Sequence, residues 1–192
     1  MLQQLVAKNS ISSINPSLDQ GNREVIELLA NWLDELGFIT EVMPLADPRK
    51  ANLIATLGTG PGGLVLAGHT DTVPCDEKLW NNNPFRLTEK DQRLYGLGTC
   101  DMKGFFPLAM EAAKPFLEQP LKQPLIILAT ADEESSMMGA RTLVEAGKPK
   151  ARYALIGEPT GMKPISMHKG IMVEKLMIEG RSGHSSDPSL GL

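Results

Sequence analysis

Val25, Leu28, Leu29, Trp32, Leu33 and Leu36 recur at intervals of three and four residues, which places them on one face of an α-helix. Asp19 or Asn22 is a candidate N-cap, and Gly37 stands where a helix commonly ends. Phe38 to Met43 and Asn52 to Leu57 read as strands, and Gly58-Thr-Gly-Pro-Gly-Gly63 as a tight turn into a buried strand at Leu64 to Ala67. These glycines lead into a strand rather than from a strand into a helix, so the run fits neither a phosphate loop nor a dinucleotide fingerprint. The polar segment Thr70 to Lys90 reads as a long functional loop lining a pocket. Met102 to Phe116 has helical spacing, with Pro107 near its first turns. Leu125 to Ala129 reads as a buried strand, Gly139 to Ala146 as a short helix, and Tyr153 to Ile156 as another strand. Ile171 to Ile178 alternates apolar and charged residues as a half-exposed strand does, and a loop follows through Pro188. Strands alternating with helices predict an α/β fold with a mixed, largely parallel central sheet flanked by helices.

Composition narrows the function. With 192 residues, 42% of them hydrophobic, the chain is long enough for one substantial core. The net charge of −4 and the scattered Lys and Arg provide no basic stripe, so nucleic acid is not an expected partner. Met1 to Lys8 lacks a cationic stretch followed by a long apolar one, and no run reaches the roughly 20 apolar residues of a membrane helix. The expectation is a cytoplasmic protein with no membrane partner. Cys75 and Cys100 are too few for a disulfide framework and too far apart for a CxxC site, and read as reduced thiols.

The chemistry sits at the ends of the apolar runs. His69-Thr-Asp71 follows Leu64 to Gly68, Asp101 follows Tyr95-Gly-Leu-Gly, Glu133-Glu134 follows Leu125 to Thr130, and Glu158 follows Tyr153 to Gly157. Ligands of α/β sheets gather beyond the carboxyl ends of the strands, so distance in sequence is no obstacle to convergence. One imidazole with several carboxylates suits zinc, cobalt or manganese, and the pattern reads as a two-metal centre for hydrolysis. Two residues beyond His69 on an extended backbone, Asp71 returns to the same face, where it accepts from the distal imidazole nitrogen and leaves the other free for metal. Asp101 has two compatible readings, a helix N-cap and a carboxylate bridging two cations. Glu133 and Glu134 are adjacent like charges that need cations or a raised pKa. One holds metal, and the other, unliganded, is the general base. Glu158 completes a ligand set or is a turn residue ahead of Pro159. His168, Lys169 and, on its surroundings alone, His184 read as structural or solvated.

The runs Gly68-His-Thr-Asp-Thr-Val-Pro74, Leu94 to Gly104, Ala129-Thr-Ala-Asp-Glu-Glu134, Ile156-Gly-Glu-Pro-Thr160, His168-Lys-Gly170 and Gly180 to Pro188 span nearly the whole chain. In their order and content they resemble the M20 family of dinuclear zinc amidohydrolases and peptidases. The resemblance implies two divalent ions, Zn2+ with Co2+ as the alternative. His69 and Glu158 hold one, Asp101 bridges, Glu134 holds the second, Glu133 is the general acid and base, and Asp71 orients His69. It further implies a cis peptide at Asp101-Met102, and a role for His184 as the lid histidine that reaches a partner's site to stabilise the oxyanion. The family chain is about twice as long. Residues 1–169 are then expected to be the N-terminal part of a catalytic zinc-hydrolase domain and 170–192 the start of a lid and dimerisation domain, with a last metal-binding His beyond this sequence. The expected activity is hydrolysis of a small N-acyl amino acid, N2-acetyl-L-ornithine ahead of succinyl-diaminopimelate, another acylated amino acid or a dipeptide, by a homodimer when full length. The rival from a different class is a non-catalytic metal-binding or pairing module.

Overall fold

The computed structural model describes residues 1–170, 172, 174, 176–177 and 179–191. They form two compact units, Met1–Pro159 and Thr160–Leu192. The first contains helices α1 (Leu2–Ala7), α2 (Arg23–Glu35), α3 (Phe105–Ala113) and α4 (Met138–Ala146). Its strands are β1 (Ile39–Pro44), β2 (Ala51–Leu57), β3 (Leu64–His69), β4 (Thr88–Lys90), β5 (Arg93–Tyr95), β6 (Leu125–Thr130) and β7 (Tyr153–Ile156).

The central sheet has the order β1-β2-β6-β3-β7. β6, β3 and β7 are parallel, and β2 runs antiparallel to both β1 and β6, so β2 alone is reversed. This is the mixed, largely parallel sheet that the alternation of elements predicts.

Strand periodicity sorts the core into two layers. Leu53, Ala55, Ile127 and Ala129 point to one face and pack with Val25, Ile26, Leu29 and Leu33 of α2 and Phe106 and Met110 of α3. Ile54 and Ile126, one step out of phase, point to the other face and meet Val65 and Leu143 of α4. Fully burying a side chain such as Leu29 or Phe106 contributes roughly 1.5–3 kcal/mol, so the first layer supplies most of the apolar stabilisation.

Helix α2 occupies the face its spacing predicts, and Gly37 takes φ +85° just beyond its end. Asn22 precedes α2, yet its side chain makes no cap hydrogen bond and is used elsewhere. The helix expected from Met102 begins only at Phe105, after Gly104, and passes into a tighter turn at Lys114–Phe116. Asp101 is therefore not its N-cap. Helix α1 and the β4–β5 hairpin have no counterpart in the apolar pattern; α1 is six residues long and each hairpin strand three, too short to establish a period. Strand β3 is only partly buried, since Leu64 is exposed, and β7 at the sheet edge is exposed along its length. Gly63 has φ +98°, and a Cβ there would collide with the Pro124 carbonyl, so the glycine turn is sterically required.

In the second unit Thr160 Oγ1 donates to the Lys163 carbonyl at 2.7 Å and Arg181 Nε to the Leu190 carbonyl at 3.1 Å. The strand expected over Ile171 to Ile178 falls, at Ile171, Val173, Lys175 and Ile178, outside the described residues.

Candidate metal centre

Parallel pairing sets His69 of β3 opposite Thr130 of β6, and β7 joins β3 through Ala67 and Ile156. The three strands thus end together, and the residues that follow each of them share one rim. Thr70, fully buried, locks the first exit. Its N–H donates to the Thr130 carbonyl at 2.9 Å and its hydroxyl to the same oxygen at 2.8 Å. Its own carbonyl accepts the Ser10 hydroxyl at 2.7 Å. Asn22 donates to Thr70 Oγ1 at 2.7 Å and to the Ala51 carbonyl at 2.8 Å, which is why it is not free to cap α2.

His69 is 2% exposed. Its Nδ1 donates to the main-chain carbonyl of Asp71 at 3.0 Å, with the Asp71 carboxylate farther off at 3.5 Å. The sequence reading has the Asp71 carboxylate accept from the distal ring nitrogen; in the structure Nδ1 is the nitrogen held, the main-chain carbonyl is its closer acceptor, and the distal Nε2 is the one left to the carboxylates. Nε2 faces Asp101 Oδ1 at 3.0 Å and Glu158 Oε1 at 3.7 Å. Burial disfavours the imidazolium, but the contact with Asp71 and the charges of Asp71, Glu158 and Glu133 outweigh it, raising the His69 pKa to about 9. The Asp71 carboxylate accepts the N–H of Glu133 on Oδ1 at 3.2 Å and that of Glu134 on Oδ2 at 3.0 Å. Burial pushes its pKa up, and the contact with His69 and these two N–H groups bring it below the usual range.

Asp101 is half exposed, and its peptide bond to Met102 is cis. The next two residues, Met102 and Lys103, are buried. Lys103 Nζ donates to the carbonyls of Lys8 at 2.7 Å and Leu5 at 3.3 Å, which ties the Asp101 loop to the end of α1. Burial lowers the Lys103 pKa to about 8 against a pull upward from Asp71. Between that value and its unfolded value of 10.5 the unfolded chain binds the extra proton, so Lys103 makes stability rise with pH across this window. Denaturant titrations of the metal-free wild-type chain and of Lys103→Met, compared from pH 8 to 10.5, should show stability of the wild type gaining on the variant as pH rises.

Glu134 and Glu158 have raised pKa values, in each case chiefly from burial, and with Asp101 as a repelling neighbour. His69, Glu133 and Glu134 offer ligand atoms within 4.8 Å of one another, and so do His69, Asp101 and Glu158. Two three-residue groups therefore share one imidazole. A cleft of about 520 Å³ opens beside them, lined by Val73, Trp80, Leu94, Tyr95, Asp101 and Glu134. The segment 70–90 contributes to it as expected. A slightly larger hollow, about 580 Å³, lies over α4 among Met137, Ala140 and Val144 and touches none of the clustered residues.

Six of the seven sequence-selected residues, His69, Asp71, Asp101, Glu133, Glu134 and Glu158, are brought to this rim. His184 lies in the second unit, exposed, with Nδ1 2.8 Å from the Ser186 hydroxyl. Sequence reasoning missed the supports: Thr70, Asn22, Lys103, and the buried pair Lys50 and Asp132. The available signal was polar residues within or directly beside apolar runs.

An open α/β sheet with an imidazole and five carboxylates gathered at the rim of its parallel strands has the architecture of the metallopeptidase class of hydrolases. The chain belongs to peptidase family M20/M25/M40, whose sequence model matches residues 65–184. It is 57% identical to the acetylornithine deacetylase of Pasteurella multocida (strain Pm70) over 100% of its own length and 50% of that relative's. It is 51% identical to that of Photorhabdus laumondii subsp. laumondii, again over 100% of the chain and 50% of the relative. The chain thus spans about half the length of the curated relatives it matches. Human carnosine dipeptidase 1 superimposes with a TM-score of 0.68 at 27% identity, covering 81% of this chain and 37% of the other. An M20 family metallo-carboxypeptidase from Sulfolobus solfataricus shares the fold at a TM-score of 0.70 and 22% identity, over 81% of this chain and 36% of the other. Among the described residues no helix is long and apolar enough to cross a membrane.

Proposed function

We propose that this chain is the N-terminal part of a dinuclear metal-dependent amidohydrolase that converts N2-acetyl-L-ornithine and water to L-ornithine and acetate. The observation that carries the hydrolase reading is the pair of ligand groups sharing His69. The substrate rests on the 57% identity, along the whole chain, to an acetylornithine deacetylase. The donor set fits divalent ions. The His69 Nε2 faces two carboxylates, and Glu134 and Glu158 are each pushed towards neutrality by burial and by the neighbouring charges of Asp101, Glu133 and Asp71, which cations at this rim would relieve.

In this reading His69 and Glu158 would hold one ion, Glu134 the other, and Asp101 would serve both, with Zn2+ the natural choice and Co2+ a substitute. Such ions polarise an amide carbonyl and acidify water. Glu133 takes the proton of the attacking water and delivers it to the leaving amine nitrogen. Asp71 keeps His69 oriented through its carbonyl and carboxylate, and its hold on the Glu133 and Glu134 N–H groups keeps base and ligand in register. His184 supplies a donor to the oxyanion in a partner's site. The whole protein then works as a cytoplasmic homodimer, with residues 1–169 in the catalytic domain, 170–192 opening the lid, and a last metal ligand supplied from beyond this sequence.

The likeness to carnosine dipeptidase 1 favours one second reading, a dipeptide substrate. Amine release by the metal-loaded whole gene product should be fastest on N2-acetyl-L-ornithine and slower on succinyl-diaminopimelate and dipeptides, and absent from the 192-residue chain alone. Preference for a dipeptide overturns the substrate, and no hydrolysis of any of the three overturns the enzyme.

A further inference from the structure

Asp132 is the single residue between Ala131 and the Glu133-Glu134 pair, and its backbone is left-handed at φ +58°. A non-glycine residue in that region is strained and persists only where its surroundings hold it. Here they do. The Asp132 carbonyl accepts the Met137 N–H at 2.7 Å. Its buried carboxylate accepts Lys50 Nζ at 2.8 Å and the Ser12 hydroxyl at 3.2 Å on Oδ1, and the Ser136 hydroxyl at 3.4 Å on Oδ2. Ser12 also pairs with the Ser135 hydroxyl. Lys50, itself buried just ahead of β2, donates a second bond to Asp19 Oδ1 at 2.8 Å, and Arg49 backs Asp19 at 3.2 Å.

The consequence lies on the far side of Asp132. The left-handed step turns two successive main-chain N–H groups, those of Glu133 and Glu134, towards one place, where they meet the two oxygens of Asp71. Asp71 in turn holds His69. One turn thus fixes the spacing between the two glutamates and the imidazole, and Lys50 holds that turn from behind. A buried ion pair is poor evidence for stability, because an apolar pair of similar volume often serves as well. An oriented one is evidence for geometry.

We propose that Lys50 and Asp132 are a positioning pair that sets where the Glu133 and Glu134 carboxylates stand relative to His69, without touching substrate or ion themselves. This rests on the metal-centre reading above.

The test is a Co2+ titration of the whole gene product, read by visible absorption and by competition with a chelator, alongside thermal unfolding. Lys50→Met and Asp132→Asn should each weaken Co2+ binding roughly 10- to 100-fold and alter the visible bands, the range usual for residues that orient metal ligands. Asn tolerates the left-handed backbone, so the second variant retains the turn while losing the charge. Lys50→Arg should restore most of the affinity. Leu29→Ala, which opens a cavity in the α2 layer, should lower the unfolding temperature yet keep Co2+ affinity within about twofold, because it is outside the ligand-orienting contacts. Wild-type affinity and bands in both Lys50→Met and Asp132→Asn overturn the proposal, as does equal weakening by Leu29→Ala. A wild-type protein that takes up no Co2+ overturns the metal centre itself, which separates the two failures.

Discussion

Glu133→Gln in the whole gene product should lower kcat by at least about 100-fold, the lower end of what a positioned proton carrier contributes, while leaving metal content unchanged. The substitution keeps volume and shape and does not disturb the main-chain N–H of Glu133, which remains free to donate to Asp71. What is lost is the capacity to take a proton from water and release it to the amine. The measurement also divides the two roles open to the adjacent glutamates, since Glu133 lies within ligand distance of both His69 and Glu134. If metal content, read by elemental analysis after dialysis, falls with activity, Glu133 is a ligand and the base must be sought in Glu134. If metal stays and turnover goes, Glu133 is the base.

Asp71→Asn should cost both stability and activity. The Asp71 carboxylate supplies one oxygen to each of two partly buried N–H groups, and an asparagine has a single oxygen to offer them. One N–H is then left facing an NH2 group, a loss of about 1–3 kcal/mol. Misorienting His69 should reduce metal affinity or turnover by roughly 10- to 100-fold. The pH dependence gives an independent reading. In the metal-free wild-type chain the His69 pKa is raised to about 9 from 6.5, so the folded state binds the extra proton. Its stabilising contribution is fully present below pH 6.5 and disappears as pH rises through about 9. Without the Asp71 charge that decline should largely vanish in denaturant titrations between those values. An unchanged decline would assign the raised pKa to Glu158 and Glu133 instead. Because coordination needs the neutral ring, the same proton competes with any metal ion, so zinc uptake should release protons at neutral pH.

The sequence made the long elements and the first ring of the site readable for the same reason: both depend on where apolar runs stop. Helix α2 carries four buried residues at helical spacing, and β6 is an uninterrupted apolar run. The acids and the histidine directly beyond such runs had to emerge at the sheet rim. The short elements were silent, since six residues in α1 and three in β4 hold too few positions to show a period. The start of α3 was misplaced because Met102 continues its apolar register in a loop, where the next residue, Lys103, is buried with its ammonium on the carbonyls of Leu5 and Lys8. Polar residues beside apolar runs mark the supports, but not which partners they reach. That Asn22 spans Ala51 and Thr70, or that Lys50 reaches Asp132, depends on side chains from separate elements meeting after the sheet has formed. No local pattern encodes such meetings.

The parallel pairing of β3 with β6 joins residues about sixty positions apart, a closure that local structure cannot prepay. Before these strands align there is no rim, so an ion that needs the cluster recognises only the folded chain. Its binding energy then adds to the free energy of unfolding, by about 2.7 kcal/mol at a free concentration 100 times its Kd. If the proposed centre binds its ion, chelation should shorten the survival of the polypeptide under proteolysis, apart from any effect on turnover.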